Sequence, residues 1–156
     1  MSEIKIYEYN ENYLSELIQL FWEVVHCINA DDYTEEQIDV WAPNQVDTEK
    51  WKNRIKDNYV IVAKYGNKIV GFGELSYDGC IDMLYVHKDY LRQRIGQKLL
   101  ECLIRKAKSL DITEALTEAS ITAKPFFEKQ GFKIVKKQIK TLNDVDLVNY
   151  KMKKRI

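Results

Sequence analysis

The chain is short of proline (two), glycine (six) and cysteine (three) over its 156 residues, and the shortage of cysteine is the most restrictive. Cys27, Cys80 and Cys102 are odd in number and show no CxxC or Cys/His ligand spacing. That excludes a disulfide framework and a zinc site, and it fits a reducing compartment; no metal is expected. No stretch approaches roughly 18 consecutive apolar residues, so no membrane span is expected. The opening residues carry charges where a signal peptide needs an apolar run, which makes the cytoplasm the expected location. There is also no excess of charge of either sign: Lys+Arg and Asp+Glu balance at 24 each, so no global field draws the protein to nucleic acid or anionic lipid. The local basic residues Lys136, Lys137, Lys140 and Lys151–Arg155 alternate on strand-like segments or lie at a terminus, and read as a solvated face. Repeats, low-complexity tracts and linkers are absent as well. One domain over residues 1–156 is the expectation.

What is present is apolar material for one core, 46% hydrophobic and 12% aromatic. Ile4 to Tyr9 alternates with the period of a half-buried strand. From Tyr13 through Leu14, Leu17, Ile18, Phe21, Trp22, Val25 and Ile28 the steps are three and four, which predicts an amphipathic helix capped by Asn10 or Asn12. Thr34-Glu35-Glu36-Gln37 reads as a capping box opening a helix to Trp41; residues 47–56 predict another. Strands follow at 59–65 and 68–77, and then at 80–86, whose nearly continuous apolar run suggests cover on both faces. A helix is predicted over 95–110, a short strand over 113–118, a short helix over 122–130, and two closing strands over 132–140 and 145–152. The order predicts an α+β fold with a mixed sheet, in which the helix over 95–110 connects two parallel strands.

The segment Ile81-Asp82-Met83-Leu84-Tyr85-Val86 runs into Arg92-Gln93-Arg94-Ile95-Gly96-Gln97, a basic turn that opens a helix. Unpaired amides and the positive end of the helix dipole suit a phosphate there. Arg92 and Arg94 add full charges, and Gly96 allows close backbone approach. This segment resembles the acetyl-CoA motif of the GNAT (GCN5-related N-acetyltransferase) superfamily, V-x-P-x-Y-[QR]-x-x-G-x-[GA] before an apolar helix. Val86, Tyr90, Gly96 and Leu99-Leu100 fall where the pattern expects them; Lys88, Leu91 and Arg94 depart from it. A Cβ at Arg94 means that the turn either avoids positive φ or bears roughly 1 kcal/mol of strain. A second run, Ala119 to Phe132, resembles the family's N-x-x-A-x-x-[LF]-[YF]-x-x-x-G-F ending. Together these resemble the YafP-like branch of bacterial GNATs.

The resemblance implies a single-domain GNAT fold: a mixed, mostly antiparallel sheet with a splayed central parallel pair, flanked by helices. It implies acetyl-CoA as co-substrate and an unidentified primary amine as acceptor, with direct attack in a ternary complex. It places Leu84, Tyr85 and Val86 beside pantetheine, Arg92 to Gln97 on the diphosphate, and Phe126 and Phe127 along the pantetheine wall. Phe127 stands where many relatives have the tyrosine that protonates the thiolate. Ser120, at the family's usual Asn position, is a candidate for binding or proton transfer near the sulfur. Asp82, a carboxylate within an apolar strand, is the candidate base, with Glu74 in reserve; the competing reading ties Asp82 to the turn at Asp78-Gly79. Trp22, His26, Tyr33, Trp41 and Tyr77 are candidates for the acceptor pocket, although aromatic stripes at helical spacing are commonly core. Because Leu91, Arg94 and Phe127 depart from pattern, a non-catalytic acyl-CoA-binding module is the alternative. Monomer and homodimer both remain open.

Overall fold

The computed structural model describes residues 3–156. In chain order its elements are β1 (Ile4–Glu8), α1 (Leu14–Cys27), α2 (Glu35–Trp41), α3 (Thr48–Lys56), β2 (Tyr59–Tyr65), β3 (Lys68–Leu75), β4 (Cys80–Val86), α4 (Ile95–Ser109), β5 (Glu114–Ser120), α5 (Lys124–Lys129), β6 (Lys133–Leu142) and β7 (Val145–Arg155). Local chemistry sets the helix starts. Asn10 Oδ1 accepts the Asn12 N–H at 2.8 Å in the turn before α1. Both bonds of the Thr34/Gln37 capping box form, at 3.2 and 2.9 Å, and Asp47 caps α3 through the Lys50 N–H at 3.1 Å. Each cap satisfies an amide that the first helical turn leaves without a partner.

The strands form one sheet in the order β1-β2-β3-β4-β5-β7-β6. Every pair is antiparallel except β4–β5, which is parallel and connected through α4. The sheet separates two apolar layers. Leu17, Phe21 and Val25 of α1 pack with Val62, Phe72 and Met83 on one face. Leu99, Leu100 and Leu103 of α4 pack with Val70, Ala119, Phe127 and Met152 on the other. Each fully buried leucine contributes on the order of 1.5–3 kcal/mol. Gly73 lets α4 sit close to β3: a Cβ there would lie 2.9 Å from the Leu103 Cδ1.

Several boundaries differ from the sequence expectation for local reasons. β3 ends at Leu75 because Ser76 closes the turn, its Oγ accepting the Cys80 N–H at 3.0 Å. β5 runs on to Ser120, and α5 begins only at Lys124 because the Ser120 Oγ accepts the Ala123 N–H in the intervening turn. β6 and β7 extend toward each other until Leu142 pairs with Val145. Asn143 and Asp144 both take positive φ (47° and 64°), as a two-residue hairpin turn requires.

The largest departure concerns β4. It is not covered on both faces: Asp82 is exposed and Leu84, Tyr85 and Val86 are half-buried. The cause is the short seam with β5, which pairs only Cys80 with Leu116 and Ile81 with Thr117. The Thr117 hydroxyl adds a bond to the Ile81 carbonyl at 2.9 Å. Beyond that point the two strands diverge.

Candidate active site at the strand splay

On its other side β4 pairs with β3 throughout, but with one residue to spare. Met83 pairs with Glu74 and Ile81 with Leu75, so Asp82 is the extra residue of a bulge. A bulge interrupts the strict alternation of faces. Ile81 accordingly packs in the α4 layer while Met83 packs in the α1 layer. The His87 N–H donates to the Val70 carbonyl of β3 at 2.8 Å. Alternation from that bond turns Tyr85 toward β3, and turns the N–H and C=O of Leu84 and Val86 into the gap left by β5. Of the three residues expected to offer backbone groups there, Leu84 and Val86 face the gap. Tyr85 reaches the site with its ring instead.

Two cavities meet at the splay. A slot of about 200 Å³ runs from Asp82 and Leu84 past Val86 to Leu91 and Gly96 on one side, and past Ser120, Phe126 and Phe127 on the other. A bowl of about 660 Å³ lies on the α1 side, walled by Trp22, Tyr33, Trp41, Trp51 and Tyr85. Asp82, Met83, Tyr85, Glu118 and Ser120 line both. The throat between slot and bowl therefore carries two carboxylates and a hydroxyl.

At the far end of the slot, α4 begins without a side-chain cap. Its first helical hydrogen bond is donated by the Lys98 N–H to the Arg94 carbonyl at 3.0 Å, which leaves the amides of Ile95, Gly96 and Gln97 without helical acceptors. Arg92 and Arg94 both take left-handed backbone, at φ 63° and 61°. Each bears about 1 kcal/mol of strain that glycine would not. Arg92, Gln93 and Arg94 are exposed and the Ile95 side chain is buried, so Ile95 can offer only its amide. The Gln97 side chain donates to Glu101 at 3.2 Å. Gly96 is pressed against the slot wall: a Cβ there would lie 3.3 Å from the Phe126 ring and 3.6 Å from Val86.

At the throat, the Ser120 Oγ accepts from the Ala123 N–H at 3.0 Å and from the buried Asn29 Nδ2 at 3.4 Å. Its own proton remains available to an acceptor in the slot. The Asp82 Oδ1 accepts the Cys80 thiol at 3.1 Å. The turn at Asp78-Gly79 is held by Ser76 and Asp78, and Asp82 takes no part in it. Burial, and then the neighbouring Asp82, push the Cys80 thiol far above the usual cysteine range. Burial likewise raises the Tyr85 phenol, with Arg54 pulling the other way.

The remaining candidates divide. Trp22 and Trp41 line the bowl. Tyr33 lines it too, but its hydroxyl is engaged, donating to the Val148 carbonyl at 2.7 Å and accepting the Ile121 N–H at 2.9 Å; burial raises its pKa. His26 and Tyr77 reach neither cavity. His26 stacks on Trp22 at 4.0 Å and donates from Nε2 to the Ala42 carbonyl at 2.7 Å, which ties α1 to the end of α2. Tyr77 sits on the β3–β4 turn with more than half its surface exposed. Glu74 is buried and held by Arg54 Nε at 3.0 Å and Asn58 Nδ2 at 2.6 Å, so it is a strut rather than a reserve base. Sequence reasoning missed Glu118, Arg54 and Trp51. For Glu118, strand alternation from Ser120 across the splay was a usable signal.

Known proteins share this sequence and this fold. Residues 29–154 match the family described as Acetyltransferase (GNAT) domain. The chain is 36% identical over 138 residues to the uncharacterized N-acetyltransferase YafP of Escherichia coli (strain K12), covering 88% of this chain and 87% of that protein. The crystal structure of a GCN5-related N-acetyltransferase from Rhodopseudomonas palustris superposes with a TM-score of 0.95 at 29% identity, over 100% of this chain and 98% of that one. PaiA N-acetyltransferase from Thermoplasma acidophilum, solved in complex with coenzyme A, superposes with a TM-score of 0.82 at 25% identity, over 99% of each chain. The family match over residues 29–154 and the identity to YafP make this chain a member of the GNAT family of N-acetyltransferases.

Proposed function

We propose that the protein transfers an acetyl group from acetyl-CoA to a primary amine by direct attack, with both substrates bound at once. The observation that carries this is the shared throat: slot and bowl are separate along their lengths and meet where Asp82, Glu118 and Ser120 stand. The PaiA structure holds coenzyme A within the same fold, which supports the slot as its place here.

In this reading, the free amides of residues 95–97 and the charges of Arg92 and Arg94 bind the diphosphate. The exposed backbone of Leu84 and Val86 holds pantetheine as an added strand would be held. The Leu84 N–H donates to the thioester oxygen and stabilises the negative charge that develops there. An alkylamine with pKa near ~10.4 is almost wholly protonated at neutral pH. Asp82 therefore receives the proton, directly or through water, and frees the nitrogen lone pair. The C–N bond forms, the C–S bond breaks with its electron pair leaving on sulfur, and the second proton of the nitrogen passes to the departing thiolate or to water. Ser120 donates a hydrogen bond to that thiolate. With a solution pKa near ~8.5 the thiolate is a tolerable leaving group, so Phe127 in place of an acid does not block turnover.

A route through an acetylated cysteine is disfavoured. Cys80 lies outside both cavities, and burial together with the Asp82 carboxylate that accepts its hydrogen bond holds it in the thiol form, while the thiolate is the nucleophilic form. A second reading, a module that binds acyl-CoA without turnover, draws on the Phe127 site and on the strained Arg92 and Arg94.

Thiol release from acetyl-CoA, measured against a library of primary amines, separates the two. Turnover is expected with some amines, and Asp82→Asn is expected to lower kcat/KM at neutral pH about 100-fold. That deficit should shrink as rising pH deprotonates the amine unaided. Full activity of Asp82→Asn between roughly pH 6 and 9 removes Asp82 as the base; acetyl-CoA binding with no thiol release from any amine favours the module.

A further inference from the structure

The charges around the bowl are sorted by position. At the throat stand Asp82 and Glu118, shared with the slot; Lys50, Arg54 and Lys140 line the bowl alone. Lys50 and Arg54 lie one turn apart on α3, and Lys140 lines the same bowl from β6. Lys50 and Lys140 form no ion pair among the described residues. The one carboxylate on that rim, Asp47, caps α3 and keeps its charge, and the Arg54 charge is balanced by the buried Glu74 at 3.0 Å, so the positive surplus of the rim comes from Lys50 and Lys140. The outer bowl is therefore cationic and the throat anionic.

A further anomaly lies between them. Asn149 lines the bowl directly opposite Ser120 in the β5–β7 register, and its buried Oδ1 has no hydrogen-bond donor. A buried acceptor left unpaired costs about 1–3 kcal/mol, and a small turn of the Asn149 side chain toward the N–H groups of a ligand in the bowl removes that cost. Register also sets the scale. Glu118 pairs with Lys151 on β7, and Leu147, four residues along β7, pairs with Lys140. At about 3.3 Å per residue that is roughly 13 Å along the strand, which the reach of the lysine side chain shortens.

We infer that the acceptor is a small amphoteric molecule, with a primary ammonium seated at Asp82, Glu118 and Asn149 and an anionic group, carboxylate or similar, held at Lys50, Arg54 and Lys140. An apolar or aromatic spacer between the two lies against Trp22, Trp41 and Tyr85. The amine and the anion sit at opposite ends of the molecule, unlike those of an α-amino acid. This inference rests on the acyltransfer reading for which end reacts, but not for which charges bind.

Two probes of matched shape test it: 4-(aminomethyl)benzoate and 4-methylbenzylamine, which share the ring and the amine and differ in the carboxylate. Calorimetry on the protein alone and on its coenzyme A complex reads affinity whether or not transfer occurs. The carboxylate probe is expected to bind at least about tenfold tighter, a difference of some 1.4 kcal/mol. In Lys50→Glu/Lys140→Glu that ratio is expected to fall to one or invert. Equal affinities in the unaltered protein, no binding of either probe, or a ratio that survives the charge reversal overturns the inference. If the charge preference is present but coenzyme A does not bind, the acyltransfer reading fails and the assignment of the rim stands.

Discussion

Slot and bowl lie side by side but are built on different principles. The slot has apolar walls, and the polar groups it offers a ligand are mainly backbone: the amides at the start of α4, where Gly96 presses against Phe126, and the unpaired edge of β4. The bowl presents side chains gathered from α1, α2, α3, β4, β5 and the β6–β7 hairpin. A site made of backbone tolerates many side chains, provided the turn keeps its shape. A site made of side chains changes its ligand whenever one of them changes. The first is suited to a donor common to a whole family, the second to an acceptor particular to one protein.

That contrast can be broken most sharply at Gly96. Gly96→Val places branched methyls where even a Cβ is 3.3 Å from Phe126. It is expected to weaken acetyl-CoA binding by roughly 100-fold, about 2.7 kcal/mol, while affinity of the protein for an acceptor probe, read by calorimetry, changes far less. If both fall together, the slot and bowl are not independent. A smaller effect is expected from Arg92→Ala/Arg94→Ala, which keeps the amides and removes the charges: affinity for acetyl-CoA falls about tenfold, and its salt dependence flattens. Unaltered affinity and salt response would leave the diphosphate held by backbone alone. Smallest is Arg94→Gly, which removes left-handed strain and is expected to raise stability by about 1 kcal/mol in denaturant unfolding. A loss of stability would mean that the arginine side chain outweighs its backbone cost.

The same contrast explains what could be read from the sequence. Arg92 to Gln97 and Ser120 to Phe132 are contiguous, and contiguity is what makes a motif visible. The capping box at Thr34 and the helix stripe from Leu14 to Val25 were legible for the same reason, since each is a local pattern with a local cause. The bowl is not contiguous. Glu118 comes beside Asp82 through the sheet order, Arg54 and Trp51 join the same bowl from α3, and His26, although placed beside Trp22 on the same helix, turns away to hold Ala42. Nor does the exposure of Asp82 show in its apolar surroundings. It follows from a bulge that depends on the pairing of β4 with β3 and from a neighbour, β5, that departs after two residue pairs.

That early departure has a thermodynamic side. Midway across a seven-stranded sheet, the amide hydrogens of Leu84 and Val86 border a vacant lane and should trade with deuterium as readily as those on a sheet's outermost strand. Their retention when coenzyme A is added would report how completely the visitor serves as the missing rung.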